Sequence, residues 1–202
     1  MAVSDYNNLR NILRTNARDK YSVQWSDTAL DNIINDAQRE YSFYAQNLVG
    51  EFEIKSSVSG LLLLPEDFIS PIKAISNEGR EIPIVSWREL VKSYGDFRKV
   101  KGEKAQCLCL DFDGMPKIRI FPVIPAGKTV GQLKYVRYAK KDIPEIKNIE
   151  ALKEHCLFQM SFVTANGKYQ AHYSNFLRLV DEEVRSNHTL NIRKRIRTGV
   201  FY

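Results

Sequence analysis

Ser26-Asp-Thr-Ala-Leu30-Asp-Asn-Ile-Ile34-Asn-Asp-Ala37-Gln-Arg-Glu40-Tyr-Ser-Phe-Tyr44-Ala-Gln-Asn-Leu48-Val-Gly50-Glu-Phe52-Glu-Ile54-Lys55 carries two periods, and the change between them decides the fold. As far as Leu48, apolar residues recur at Leu30, Ile33, Ile34, Ala37, Tyr41, Tyr44, Ala45 and Leu48, the spacing of one helix face. Ser26 is placed to cap this helix and Asp27 to face the positive end of its dipole, with Trp25 as a hydrophobic staple. Gly50 is read as the stop. Beyond it Phe52 and Ile54 alternate with Glu51, Glu53 and Lys55, the pattern of a half-buried strand.

Upstream, Ser4 to about Asp19 reads as another helix, with Tyr6, Leu9, Ile12 and Leu13 on its apolar side and Arg10, Arg14 and Arg18 as a polar stripe. Downstream the strand signals accumulate. Leu61 to Leu64 is an apolar run closed by Pro65. Pro71 to Ile75 leads into an Asn77-Glu-Gly79 turn, and then Glu81 to Val85. Ser86 caps a short helix from Trp87 to about Tyr94, and Asp96 to Lys104 reads as a loop. Cys107 to Phe112 and Lys117 to Phe121 flank Asp113-Gly114, the strongest hairpin signal in the chain. A further strand runs from Leu133 to Tyr138. Around Pro144 the helical period returns. Leu152, Cys156, Met160 and Val163 form one stripe, widened by Phe158 and Phe162. Asn166-Gly167 breaks it as a left-handed cap, and Tyr169, Tyr173, Phe176, Leu177, Val180 and Val184 form the stripe of a last helix. Past Asn187 the periodicity ends.

The fold class expected is α+β. A bundle of two N-terminal and two C-terminal helices, 1–50 and 144–187, is interrupted by a β-rich insertion, 51–143, built as a small sandwich or barrel. Residues 188–202 are expected as an extended arm.

The 202 residues suit one medium domain with an insertion, and 44% apolar with 27% charged residues is a globular composition. No apolar run reaches the ~18 residues of a membrane span, and the first residues lack the basic-then-apolar pattern of a secretory signal. Cys107, Cys109 and Cys156 read as reduced thiols in a cytosolic setting. The formal charge of +6 is unevenly placed. From Arg185 to Tyr202 there are five basic residues and no acid, so the body before them is almost neutral. A basic terminal segment seeks phosphate or an acidic protein groove.

Motifs for chemistry fail on spacing. Gly127-Lys128-Thr129 resembles the end of a phosphate loop, but Pro122 stands where the first glycine belongs and strand-like residues follow instead of a helix. Asp111-Phe-Asp113-Gly114 resembles part of a calcium loop, but Cys109 and Ile120 occupy positions that need oxygen ligands. Cys107 and Cys109 have no partner pair, and none of His155, His172 and His188 is four residues from another. His155 and Cys156 are adjacent, so they point about 100° apart on a helix and form no dyad. No catalytic residue, metal or cofactor is assigned. The basic segment lacks interleaved aromatics apart from Phe201 and Tyr202, which predicts nonspecific contact with nucleic acid rather than sequence reading.

The order of signals resembles the head-to-tail adaptor, or connector, proteins of tailed bacteriophages. The likeness is to the tail-accessory and tubular-tail adaptors of short-tailed phages, including ring proteins of crAss-like phages. Four segments carry it: Trp25-Ser-Asp with Leu30, Ile34-Asn-Asp-Ala37 and Glu40-Tyr41; Leu63-Leu-Pro-Glu-Asp-Phe68 with Ile72 and Ile75; Ile118-Arg-Ile-Phe-Pro122 with Leu133, Tyr135 and Tyr138; and the closing helix pair with its basic arm. The resemblance implies a structural virion protein of the neck, assembled in the host cytoplasm. It implies a dodecameric ring of this chain under the portal, extending the channel through which genomic DNA passes during ejection without sequence-specific binding. Its expected partners are itself, the portal and tail or further ring proteins, with no membrane. Arg193, Lys194, Arg195, Ile196, Arg197, Phe201 and Tyr202 are the expected portal- or neighbour-binding arm. Phe158, Phe162, Tyr169 and Tyr173 are candidates for an inter-subunit helix face, or equally for filling the monomer core. The large insertion departs from the shorter connectors of long-tailed phages. The competing reading is a non-enzymatic DNA-binding packaging or chromatin-associated protein that grips phosphate with the same arm.

Overall fold

The computed structural model describes residues 3–19, 21, 23–111 and 117–198, with 188–198 described as backbone. The fold is mixed α+β, and the chain divides into two compact units. Residues 1–47 and 138–202 form one, and Leu48–Arg137 forms the other. The change of period in the opening stretch marks the first crossing, at 47/48. The return crossing falls at 137/138, earlier than the expected 143/144.

In the helical unit, α1 (Val3–Asn16) and α2 (Asp27–Ala45) are joined by a structured bend. Ser26 caps α2 as expected, its hydroxyl oxygen accepting from the Ala29 N–H at 3.1 Å. The bend is organised by Asp19. Its carboxylate accepts N–H bonds from Val23 and Trp25 at 2.8 Å and from Gln24 at 3.1 Å, and Arg14 lies 3.5 Å away. Trp25 is buried beside it. Arg10 and Arg14, read as a polar stripe, reach across to Asp31 and Asp27 and tie α1 to α2.

Burial pushes the Asp19 carboxyl upward, but the bonds from Gln24, Trp25 and Val23 together with Arg14 outweigh it and leave it below its ordinary value. A carboxyl depressed on folding adds stability above its unfolded pKa and loses it as pH falls through the folded one. Acid is therefore expected to release this bend at pH below about 4, and Asp19→Asn should flatten that part of the titration. Trp25 emission against pH checks it. An identical acid limb in Asp19→Asn would remove Asp19 from the account.

Helix α2 ends before Gly50. Its cap is Gln46, in left-handed conformation at φ 48°. Gly50 lies inside β1 (Val49–Lys55) instead, where a Cβ would come within 2.6 Å of the Tyr135 ring. The glycine serves a close approach in a sheet, not a helix stop. The helical unit closes with α4 (Ile149–Val163) and α5 (Tyr169–Thr198). Their turn places the left-handed residue at Ala165, φ 53°, rather than at Gly167. The segment between Tyr138 and α4 is pinned to α2. The Ala139 N–H donates to the Ser42 hydroxyl at 3.0 Å, and Asn35 exchanges bonds with Asp142 at 2.8 and 2.9 Å. The first and last parts of the sequence thus share one core, with Leu30, Ile34, Ala37 and Tyr41 from α2, Leu152, Cys156 and Met160 from α4, and Phe176 and Val180 from α5. Val163, expected on the α4 stripe, is exposed.

The arm is not extended over its described part. Helix α5 runs 30 residues, through Thr198, whereas α4 has 15. The apolar stripe ends near Asn187 although the helical backbone continues, because a stripe records burial against a neighbour and the helix itself does not need one. Val184, Arg185, Ser186 and Asn187 are exposed. The pairs Arg178–Glu182 at 2.6 Å and Arg185–Asp181 at 2.8 Å follow the four-residue spacing that supports a solvated helix.

The second unit packs two four-stranded sheets. One has the order β1-β8-β3-β4 and contains β1, β3 (Phe68–Ser76), β4 (Glu81–Ile82) and β8 (Thr129–Arg137). The other has the order β2-β7-β6-β5 and contains β2 (Leu61–Leu63), β5 (Ile84–Val85), β6 (Cys107–Asp111) and β7 (Lys117–Phe121). Ile54, Ala74 and Leu133 of the first meet Leu108, Ile118 and Ile120 of the second in one core, a small sandwich. Beta-strand alternation sends Cys107 and Cys109 to the opposite face of β6, where they pack with Leu90 of α3 (Trp87–Tyr94), Phe97 and Phe121. They are apolar fillers, as expected from sequence. Helix α3 begins with the full capping box, Ser86 with Glu89. Thr129 opens β8, so a strand follows Gly127-Lys128 and the phosphate-loop reading fails on structure too. The Asp113-Gly114 turn lies outside the described residues, although its flanking strands pair in antiparallel register, Asp111 with Lys117.

Candidate functional site

One face of α2 presents Asp36, Arg39, Glu40 and Phe43, spaced so that they align along the helix. One face of α4 presents His155, Phe158 and Gln159, and the first turns of α5 add Tyr173. With Tyr138 these residues line a groove of about 640 Å³ within the helical unit.

Its aromatic side is continuous. Tyr173 stands 4.8 Å from Phe158 between ring centroids, Phe158 is 6.2 Å from Phe162, and Phe162 meets Tyr169 edge-on at 5.8 Å. Deeper down, Phe176 packs on His155 at 4.8 Å and on Tyr44 at 6.1 Å. The four aromatics singled out from sequence are therefore brought together. Their exposure differs: Phe158, Tyr169 and Tyr173 are half-buried, whereas Phe162 is 64% exposed and adjoins Val163 at 71%. Tyr44 and Tyr173 share a hydroxyl–hydroxyl bond of 3.0 Å, which with burial pushes the Tyr173 phenol up to about 12.

The polar side is unusual. Arg39 lays its guanidinium 3.9 Å from the centre of the Tyr138 ring, a cation–π contact. Asp36 and Glu40, one helical turn apart, have no hydrogen-bond or ion-pair partner among the described residues. Other acids of the unit are paired: Asp31 with Arg10, Glu154 with His172, Glu182 with Arg178. His155 is only 4% exposed, and its Nδ1 has no hydrogen-bond partner among the described residues. Burial pushes its imidazole down to about 4, so it is neutral near pH 7.

The neighbouring Cys156 is fully buried on the other side of α4, with its thiol 3.9 Å from the Ile33 carbonyl and its pKa raised by burial. It is not a thiolate and does not face the groove. Among the described residues no group of three or more metal-ligating side chains is present, and no helix is long and apolar enough to cross a membrane. The groove offers aromatic surface, two unpaired carboxylates and one neutral imidazole. That inventory recognises a cationic, partly apolar segment.

Sequence reasoning found the aromatic half of this groove and missed Asp36, Arg39, Glu40, Phe43 and Tyr138. A signal existed: a charged and aromatic face on α2, opposite its apolar stripe. Of the expected arm residues, Arg193, Lys194, Arg195, Ile196 and Arg197 lie on the backbone of the far end of α5, and Phe201 and Tyr202 lie outside the described residues. No protein-family model matches the chain, and no curated protein matches its sequence.

Proposed function

We propose that this chain is a structural virion protein, a head-to-tail adaptor that assembles as a ring beneath a phage portal and offers the tail its docking surface. The observation that carries the reading is the mismatch between α4 and α5. Helix α5 is twice the length of α4, and Arg193 to Arg197 fall on the backbone of its far end. A 30-residue helix paired with one of 15 has length to offer another molecule, and its last described side chains, Val184 to Asn187, are exposed. The open aromatic edge at Phe162 and Val163 supports the same reading, because a ring subunit needs lateral surface that its own core does not use. The ring is dodecameric, matching the portal, and further partners are tail or additional ring proteins. The protein acts by assembly rather than by turnover.

Truncation tests this. A chain ending at Asn187 keeps every paired part of the helical unit, so its circular dichroism per residue and melting temperature should stay close to those of the full chain. Its co-sedimentation with the portal should be lost. The full chain should bind free duplex weakly. Duplex affinity that falls steeply with salt, together with indifference to portal, would replace the adaptor with a DNA-binding protein.

A further inference from the structure

We infer that the groove lined by Asp36, Glu40, Phe158, Tyr173 and His155 is the receiving site for the basic end of α5 from a second copy of this chain. The inference rests on the ring reading in one respect, that copies of the chain meet side by side.

The groove lacks a partner it is equipped for. Two carboxylates one turn apart repel each other, and here no cation of the described residues answers them. The adjacent Arg39 is committed to the face of Tyr138. The same groove is lined by His155, whose buried ring nitrogen Nδ1 has no hydrogen-bond partner among the described residues, an unfavourable state that a partner able to reach it would relieve. Two independent features of one cavity thus call for a polar, cationic occupant, while Phe43, Phe158 and Tyr173 call for an apolar one.

The far end of α5 matches in sequence and in spacing. Arg193, Lys194, Arg195 and Arg197 surround Ile196, with no acid nearby. Arg193 and Arg197 are four residues apart on a helical backbone, and so are Asp36 and Glu40. Two cations one turn apart meet two carboxylates one turn apart, in the helix-in-groove mode.

The donor is not the same chain. Tyr173, on the groove, and Arg193 belong to one continuous helix, 20 residues apart, which at ~1.5 Å per residue is about 30 Å. A helix of that length does not return its end to its own beginning. The contact is therefore heterologous, the groove of one copy taking the tail of the next. Repetition of such a contact closes into a ring where the rotation from copy to copy divides a full turn, which is the case the ring reading requires.

Two full-length variants test this. Asp36→Lys with Glu40→Lys reverses the groove, and Arg193→Glu with Arg197→Glu reverses the tail. Melting curves check that both stay folded. Neither should self-associate at concentrations up to about 100 µM in sedimentation velocity. Mixed, they should associate, because each unmodified tail meets an unmodified groove and each reversed tail meets a reversed groove, so the two variants alternate in assemblies larger than a dimer of the 23.3 kDa chain. All four substitutions in one chain should restore self-association. His155→Phe in the chain with the unmodified groove should weaken this mixed association roughly three- to tenfold. A mixture that stays monomeric, a variant that associates as the unmodified chain does, or a mixed association unaffected by His155→Phe overturns the site. If the mixture stays monomeric while the unmodified chain still joins its portal, the groove assignment fails alone. If portal assembly is absent too, the ring reading fails with it.

Discussion

Gly131→Ala should abolish stable folding of the two-sheet unit, at a cost of about 4 kcal/mol or more. Gly131 sits in β8, the central strand that pairs with both β1 and β3, opposite Ser76. A methyl group built on it would lie 2.1 Å from the Ile75 carbonyl oxygen and 2.8 Å from the Ser76 Cα. Both are backbone atoms, so no side chain can swing away, and relief requires β3 and β8 to separate. Those two strands carry Phe68, Ala74, Leu133 and Tyr135 into the shared core, so separation exposes it. The measurement is urea unfolding followed by Trp87, which stacks on Phe97 at 4.7 Å inside this unit. Trp25 belongs to the helical unit, so one tryptophan reports on each. A Trp87 transition within about 1 kcal/mol of the unmodified protein would mean that β8 is not packed as described.

Phe176→Ala is the corresponding experiment for the helical unit, with an expected loss of about 3–5 kcal/mol. The ring is fully buried on α5 and touches Tyr44 of α2 and His155 of α4. It is the point at which helices from the beginning and the end of the sequence meet. Its removal leaves a cavity beneath the groove as well as lost apolar burial, and both terms act in the same direction. Urea unfolding followed by Trp25 checks the value. A loss below about 1 kcal/mol would contradict a common core for the two ends of the chain.

Much of this architecture is legible in the residues. The change from helical spacing to alternation near Leu48, the caps at Ser26 and Ser86, and the pairing of Cys107 with Cys109 on one strand face are local signals that tertiary structure leaves intact. Where reading and structure differ, a residue answers to something distant. Gly50 is required by the Tyr135 ring, more than 80 positions away, and so imitates a helix stop. Gly131 interrupts the alternation of β8 because β3 presses on it, so the strand reads as starting at Leu133 when it starts at Thr129. Ala165 takes the left-handed turn beside a glycine better suited to it, and nothing in the structure explains that choice. The end of α5 reads as irregular because its residues carry no apolar stripe, although their backbone is helical. The groove was half visible: its aromatics fall on two adjacent helices, whereas its acids come from α2, more than a hundred residues earlier.

The two units have separate duties in this account. The sandwich encloses a core of its own, and the surfaces proposed for other molecules lie on the helical unit. The charge is uneven in the same way, since nearly all the net positive charge falls from Arg185 onward while the groove carries Asp36 and Glu40.

Native mass spectrometry of this chain mixed with its portal tests the central claim most directly. The account predicts a single complex in which copies of this chain equal the portal subunits in number. A portal whose mass is unchanged by the chain, or a complex with unequal copies, would contradict it.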